Sequence, residues 1–239
     1  MLSEAMTELC ALKLGPMAER LRQWVEDPNN RDRSHAECVL ALAQAQAQIT
    51  ANKRARCFLT RADLPPGIAI DDFRNGSNRG LAPGLLGNLK ACDWVQRGQS
   101  VVITGGSQTG KTFLAAALGR EAALSGMSVL HRRIPDFLME CAIEKDRGNA
   151  ALAALFKRLS RPKLLVLDDF AVELATVEQS HLIRRLLDAR ARHNLSVLVA
   201  ASNAVEDWGG YFEDPTAADA IYGRLLGRGK PIVLKHPVA

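Results

Sequence analysis

Apolar and polar positions follow two different patterns along this chain, and the pattern changes near residue 60. Before that point Ala, Leu, Gln and charged residues dominate, and apolar positions recur at spacings that suit one face of a helix. The pattern predicts a helical N-terminal domain over residues 1–60. The helix face rests on Leu9, Leu12, Leu14, Met17 and Leu21.

A run of turn-forming residues then interrupts the helical pattern. Pro65, Pro66 and Gly67 favour a break, and the sequence GSNRG at 76–80 is typical of a loop. We therefore predict a linker over residues 61–83.

From residue 84 to residue 239 short apolar runs alternate with helical patterns. This alternation is typical of crossover units that build a mostly parallel sheet with helices on both faces. The predicted strands are SVVIT at 100–104, SVLH at 128–131, KLLVLDD at 163–169, SVLVAA at 196–201 and PIVLK at 231–235.

One helix of this region has a recognisable start. Thr176 and Gln179 have the spacing of a capping box, in which each side chain satisfies a free backbone N–H at the helix start. A helix is therefore expected near 177–192. Its predicted buried stripe consists of Leu182, Ile183, Leu186 and Leu187.

The sequence GGSQTGKT at 105–112 matches the Walker A pattern of a P-loop, between an apolar strand and a helix-forming run. Backbone amides of such a loop and the following helix N-terminus bind phosphates, here those of ATP. Lys111 is expected to reach the β- and γ-phosphates, and Thr112 to place its hydroxyl on Mg²⁺. The remaining nucleotide-binding residues of the loop are Gly105, Gly106, Ser107, Gln108, Thr109 and Gly110.

A glycine-rich turn that matches by chance is the alternative, and it recurs in roughly one chain of this size per hundred at average residue frequencies. The flanking strand and helix make it rarer still. Gln108 replaces a glycine that many such loops carry, so a side chain stands where backbone freedom is common.

A second acidic element follows a predicted strand, in the run LLVLDD at 164–169. Ligands of open parallel sheets bind beyond the carboxyl ends of the strands, so Asp168 and Asp169 should face the same crevice as the P-loop. Asp168 is expected to hold Mg²⁺, and Asp169 to orient or deprotonate the attacking water. Without the P-loop, two acidic residues after a strand would indicate only the start of a loop.

Four segments together resemble one family of ATPases. The chain resembles the IstB-type helper ATPases of insertion-sequence transposition, in the DnaC/DnaA-like clade of AAA+ proteins, over nearly its whole length. The segments are LKLGPMAERL near the start, LKACDWVQRGQSVVITGG before the P-loop, LLVLDDF, and VEDWGGYFEDPTAADAIYGRLL near the end.

The resemblance implies further site residues. Arg224 matches an arginine finger that enters the ATP site of a neighbouring subunit. Ser202 or Asn203 matches the sensor of water and γ-phosphate, although family members more often carry Thr-Ser-Gln there. Phe73 lies where relatives pack the linker near the adenine, and PIVLK comes too near the chain end for a C-terminal lid.

Asp169 stands where most AAA+ proteins have Glu, and its side chain is shorter by one methylene. This shorter reach predicts slow hydrolysis of ATP. Stimulation of the hydrolysis by DNA is a separate expectation.

Basic clusters indicate the predicted DNA contacts. With little aromatic interleaving, such contacts should be to backbone phosphates and largely independent of base sequence. Taken alone, each cluster is also compatible with a solvated face. The resemblance implies ATP-bound subunits in a helical homo-oligomer around duplex DNA, and a transposase encoded nearby as partner. The clusters are Lys53, Arg54 and Arg56; Arg132 and Arg133; and Lys157, Arg158 and Arg161.

Composition sets limits on these predictions. An apolar fraction of 47% and a charged fraction of 24% are ordinary for a globular protein, and the net charge of +5 permits a polyanionic partner. Neither a spanning apolar run nor a signal peptide is recognisable, so a bacterial cytoplasmic protein is expected. Five scattered cysteines indicate neither a disulfide framework nor a zinc site.

Two other functions remain open at this stage. A DnaC-like loader of a replicative helicase would share the ATP chemistry and differ in its partner. A small-molecule kinase would share the P-loop, but no acceptor-binding feature stands out, and the C-terminal segment would stay unexplained.

Overall fold

A computed structural model describes residues 1–73, 79–227 and 231–236. The chain divides into two compact units, Met1–Cys57 and Phe58–Ala239. Residues 76–78 of the predicted loop lie outside the described residues.

The first unit is helical, as predicted, but its apolar positions do not share one continuous helix. Helix α1 spans Leu2–Ala11 and α2 spans Gly15–Glu26. Between them Lys13 has a φ of 62°, and the Leu14 amide donates to the Leu9 carbonyl at 2.8 Å, which closes the end of α1. Pro16 could not continue α1, because its ring would meet the carbonyl four residues earlier. Leu12 is consequently exposed.

A 3₁₀ turn at Pro28–Asn30 leads to helix α3, His35–Arg61, which runs on into the second unit. The segment that follows was expected to be a linker, and part of it is packed. Ala62, Ile70, Phe73 and Leu81 are all buried in the core cluster that also contains residues of the P-loop helix.

The second unit is built on five parallel strands in the order β2-β3-β4-β1-β5. They lie within two residues of the predicted positions, because each contains a short apolar run, and those of β1, β3 and β4 are buried on both faces of the sheet. The strands are β1 Val101–Gly105, β2 Val129–Arg133, β3 Leu164–Phe170, β4 Ser196–Ala201 and β5 Ile232–Leu234.

Helices cover both faces of this sheet. Alternate residues of β3 demonstrate it, since Leu165 and Leu167 belong to one core cluster and Leu164 and Val166 to the other. The helices are α4 Leu85–Lys90, α5 Asp93–Gln96, α6 Lys111–Leu124, α7 Ile134–Asp146, α8 Asn149–Leu159, α9 Val177–Arg192 and α10 Pro215–Leu226, with 3₁₀ helices at Ile70–Asp72 and Val205–Tyr211.

Helix α9 begins as predicted. The Thr176 side chain accepts from the Gln179 amide, and the Gln179 side chain accepts from the Thr176 amide, which completes the capping box. Ile183, Leu186 and Leu187 are buried, whereas Leu182 is half-buried. Among the described residues, none of the helices has the length and apolar character to cross a bilayer.

Candidate nucleotide-binding site

The P-loop starts at the last residue of β1, a strand that lies between β4 and β5, and it ends at Thr112, the second residue of α6. Gly105 has a φ of 151°, and a Cβ atom there would come within 2.3 Å of the Leu234 carbonyl oxygen. Gly110, with a φ of 94°, precedes α6, and a Cβ atom there would come within 3.2 Å of the Phe73 and Arg79 side chains. Gly105 therefore allows the loop to lie directly against β5.

Gln108 adopts a left-handed backbone conformation, with a φ of 63°. For a residue with a Cβ atom this conformation costs roughly 1–2 kcal/mol, and glycine avoids that cost. Many loops of the Walker A pattern carry glycine at this position. The structure supplies the reason, since the loop requires a positive φ there.

Lys111 places its ammonium group inside the loop. Its side chain is largely buried, and Nζ donates to the Gly106 carbonyl oxygen at 2.6 Å. Burial lowers the pKa of Lys111, and the nearby carboxylates of Asp168 and Asp169 oppose that shift. The ammonium group thus lies against the Gly106 carbonyl of the loop, where it can donate to phosphate oxygens.

The Thr112 hydroxyl donates to Asp168 Oδ1 at 3.2 Å. Asp168, near the carboxyl end of β3, is only 4% exposed. Burial by itself raises the pKa of Asp168, but His131, the Asp169 amide and Thr112 stabilise the carboxylate, so the net pKa lies below its usual value. A hydroxyl and an ionised carboxylate side by side form the hard-oxygen donor set that Mg²⁺ prefers.

His131 is a site neighbour that the sequence analysis did not identify. It is buried in β2, and its Nε2 lies 3.8 Å from Asp168 Oδ2, an ion-pair distance when the ring is protonated. A polar residue at the end of the apolar run SVLH was the available signal. Its partner could not be predicted without the β2–β3 pairing.

Asp169 is held by a cation from the neighbouring strand. Arg133 Nε donates to Asp169 Oδ2 at 2.7 Å, and Asp169 itself has a φ of 52° at an irregularity in the β3–β4 pairing. Arg133 was predicted as a DNA contact. In this structure its side chain instead pairs with an acidic residue of the nucleotide site.

The two sensor candidates follow β4 and differ in their contacts. Asn203 Nδ2 donates to the Ala171 carbonyl oxygen at 2.9 Å, which ties the end of β4 to the segment after Asp169. Ser202 is exposed. Of the two, Asn203 is therefore the one physically linked to the acidic strand end.

Phe73 and Arg79 lie against the P-loop. Phe73 is buried, its ring stacks with Phe113 at a centroid distance of 6.1 Å, and the Arg79 guanidinium lies 5.3 Å from the Phe73 ring. Arg79 Nη1 donates to the Thr109 carbonyl oxygen at 2.7 Å. From the sequence Arg79 was predicted only to be part of a loop, because the carbonyl group that it contacts lies 30 positions away.

Arg224 lies at the opposite end of the sheet from the P-loop. It lines a cavity together with Ser100 and Val101 at the beginning of β1, and it forms an ion pair with Asp188. Five strand residues span roughly 15 Å, so Arg224 is out of reach of phosphates bound to its own P-loop.

The predicted DNA contacts differ in whether they pair with carboxylates and in the unit to which they belong. Arg132 pairs with Asp63 at 2.5 Å, and Arg158 pairs with Glu140 at 3.0 Å. Lys157 is exposed and has no carboxylate partner in the part of the chain that the structure describes. The exposed residues Lys53, Arg54 and Arg56 lie on α3, in the first unit.

Comparisons with known proteins agree with this geometry. A family model described as IstB-like ATP binding protein matches residues 7–236. One insertion-sequence ATP-binding protein of Sinorhizobium fredii is 31% identical over 90% of this chain and 86% of its own length. Another, from Mycobacterium tuberculosis, is 26% identical over 96% of this chain and 90% of its own length.

A crystal structure of the DnaC helicase loader has a TM-score of 0.57 at 18% identity, covering 71% of this chain and 98% of that one. At this identity the likeness demonstrates the fold alone. The predicted fold class, a parallel P-loop sheet of the AAA+ type after a helical N-terminal region, is confirmed, and so is the predicted resemblance.

Proposed function

Because this chain belongs to the IstB-like family of ATP-binding proteins, we propose that it is an Mg²⁺-dependent ATPase that assembles on duplex DNA and assists a transposase. It acts in target selection and insertion, in the bacterial cytoplasm, and its turnover is slow and stimulated by DNA. The insertion-sequence context of its relatives supports a transposase encoded nearby as the partner.

The observation that carries the ATPase proposal is the contact between Thr112 Oγ1 and Asp168 Oδ1, beside the buried ammonium of Lys111. Thr112 and Asp168 would hold Mg²⁺, which when bound neutralises charge on the phosphates. Lys111 would leave the Gly106 carbonyl and donate to the β- and γ-phosphate oxygens. Phe73 would pack near the adenine.

Asp169 would orient or deprotonate the attacking water from the end of β3. Its ion pair with Arg133 restrains the position of the carboxylate. The short side chain and this pairing both support slow turnover. Asn203, which is linked to the segment after Asp169, is the better supported sensor, and Ser202 is the second candidate.

Arg224 would act on the nucleotide of a second copy of the chain. Its distance from its own P-loop supports this role, since an arginine finger must approach the γ-phosphate. Nucleotide binding would then control a homo-oligomer, helical in form, on DNA. Residues 1–60 would contact the transposase or DNA, and residues 84–239 would form the ATPase core. Residues 61–83 would link these two parts of the chain.

The test compares Lys111→Ala with Asp169→Asn, measuring nucleotide binding, ATP hydrolysis and oligomer mass on duplex DNA. Lys111→Ala should lose nucleotide binding, whereas Asp169→Asn should retain ATP and accumulate as ATP-bound oligomers. Asp146→Asn, at the exposed end of α7, is the matched control and should behave as wild type. ATP hydrolysis by Lys111→Ala at the wild-type rate would overturn the proposal.

A helicase loader of the DnaC type shares this chemistry and differs in its partner. The names of the relatives favour transposition, and the DnaC likeness is one of fold. An adjacent gene for a DDE transposase, rather than for a replicative helicase, would decide between the two. A small-molecule kinase has no support from these relatives.

A further inference from the structure

A cavity of about 440 Å³ between the ends of α8 and α9 is lined mainly by basic side chains. None of the lining residues that the structure describes there is acidic. We call it the basic groove. Its polar lining residues are Lys157, Ser160, Arg161, Arg185, Arg192 and His193.

The basic groove lies far from the nucleotide site. Helices α8 and α9 end at Leu159 and Arg192, shortly before β3 and β4 begin, so the groove lies at the amino ends of these strands. Asp168 and the P-loop lie at the carboxyl ends. With strands of six and seven residues between them, a separation of roughly 20 Å follows, and the cations of the groove cannot serve the bound nucleotide.

The cations of the groove have no carboxylate partner among the residues that the structure describes. Elsewhere many exposed basic residues pair with carboxylates, for example Lys145 with Glu178 at 2.5 Å and Arg147 with Glu144 at 2.9 Å. Within the described ranges, the groove has no such partner for its lysine and three arginines. Four like charges around one cavity repel each other, and phosphate oxygens would relieve that repulsion.

A buried arginine joins the segments that carry the groove residues. Arg190 is fully buried, and it donates to the carbonyl oxygens of Leu159 at 2.8 Å, Pro162 at 3.1 Å and Ser196 at 2.6 Å. These bonds tie the end of α9 to the end of α8, to the turn before β3 and to the start of β4. The groove cations therefore project from a braced surface.

Two lining residues are prepared for an anion. The Arg185 guanidinium lies 4.5 Å from the centre of the buried Phe156 ring, a cation–π contact that restrains the side chain without using its N–H groups on a carboxylate. The Ser160 hydroxyl oxygen is buried and has no hydrogen-bond partner in the described structure. The Arg185 guanidinium can donate directly to a bound phosphate oxygen, whereas the Ser160 hydroxyl would first have to rotate toward the cavity that it lines.

Helix dipoles explain only part of this cluster. Cations in the last turn of a helix are worth about 0.3–1 kcal/mol, which accounts for Lys157 on α8 and Arg192 on α9. Arg161 lies beyond α8, and Arg185 lies two turns before the end of α9. Protein partners usually insert apolar anchors, yet the apolar lining consists of Ala189 and the covered Phe156.

We propose that the basic groove of Lys157, Arg161, Arg185 and Arg192 binds the phosphate backbone of duplex DNA, independently of base sequence. The inference rests on the proposed function and moves the main DNA contact of the ATPase core away from Arg132, Arg133 and Arg158. Those three arginines already pair with carboxylates.

The test is the double reversal Arg161→Glu with Arg192→Glu, measured as the affinity of the full chain for a fluorescent duplex over a range of salt concentrations. Loss of two phosphate contacts should weaken binding by about tenfold or more at fixed salt and flatten the log–log salt slope by about two. The matched control is Lys145→Glu with Arg147→Glu, which makes the same charge change at carboxylate-paired cations and should weaken binding much less.

ATP binding and the unfolding midpoint of each variant verify that it is folded. The duplex affinity of the milder Arg161→Gln with Arg192→Gln should lie between those of the wild type and the double reversal. A folded double reversal that binds duplex with the wild-type affinity and slope overturns the inference and leaves the proposed function standing. Equal losses in the double reversal and the control also overturn it. A wild-type chain that binds no duplex overturns the proposed function and this inference together.

Discussion

The Arg133 guanidinium donates to the Asp169 carboxylate across β2 and β3, with Nε 2.7 Å from Oδ2. The second carboxylate of the LLVLDDF strand is thus charge-paired before any nucleotide binds. This pairing raises the pKa of Arg133. The hydrogen bond to Asp169 is the larger cause, and the negative charge of that carboxylate is the smaller one.

Replacing Arg133 should therefore raise the basal rate of ATP hydrolysis. In Arg133→Ala, Asp169 loses its partner, and its carboxylate becomes free to move toward the attacking water. A partly exposed ion pair of this kind corresponds to a change of about two- to fivefold in rate. Steady-state phosphate release without DNA measures it. Arg147→Ala removes a comparable pair with Glu144 and should leave the rate unchanged; a fall in rate for Arg133→Ala would contradict the restraint.

The left-handed conformation of Gln108 makes a prediction about stability. Gln108→Gly removes a steric cost of roughly 1–2 kcal/mol and adds a backbone entropy cost of about 0.5–1 kcal/mol, so a net gain of about 0.5 kcal/mol is expected. Urea unfolding of the nucleotide-free protein measures it. The neighbouring Ser107 does not have a positive φ, so Ser107→Gly should have the opposite sign. Destabilisation by both variants would show that position 108 is unstrained.

Asp168 should contribute to the acid dependence of stability. Because its folded-state pKa is lowered, the unfolded chain takes up a proton more readily, and the ionised carboxylate stabilises the fold above about pH 4. This contribution is lost as the pH falls through the folded-state pKa. Asp168→Asn should therefore flatten the decline of the unfolding free energy below about pH 4, whereas the exposed Asp146→Asn should leave its slope unchanged. Parallel declines in wild type and Asp168→Asn would refute this.

Arg190 should be among the most sensitive core positions. Arg190→Met keeps the volume but leaves the carbonyl groups of Leu159, Pro162 and Ser196 without their donor. Each buried acceptor without a partner costs about 1–3 kcal/mol, so a loss of at least about 3 kcal/mol is expected. The neighbouring exposed Ala191→Met is the control for side-chain size. A loss below about 1 kcal/mol for Arg190→Met would mean that water replaces the guanidinium.

Features encoded by a local pattern were predictable from the sequence. Each of the five strands contains a short apolar run, and the capping box of Thr176 and Gln179 marks the start of α9. The P-loop likewise needs only its eight residues and the flanking strand and helix. For each of these, the physical cause lies within a few positions along the chain.

Features that depend on the pairing of distant segments were not predictable. The partner of Arg133 follows from the register of β2 against β3, which places Arg133 opposite Asp168 and next to Asp169. Arg79 bonds a carbonyl 30 positions away, and Asp188 meets Arg224 only because α9 packs against α10. Leu12 lies outside α1 for a local reason, because the left-handed conformation of Lys13 ends this helix at Ala11.

The ion pair between Asp188 and Arg224 has a consequence for the concentration at which subunits begin to associate. In the proposed assembly, Arg224 must leave Asp188 before it can enter the ATP site of a neighbouring subunit. Breaking a half-exposed ion pair of this kind would raise the threshold concentration for association by a factor of about two to five. Asp188 would thereby disfavour association of isolated subunits in solution and favour growth of the oligomer where DNA has already brought subunits together.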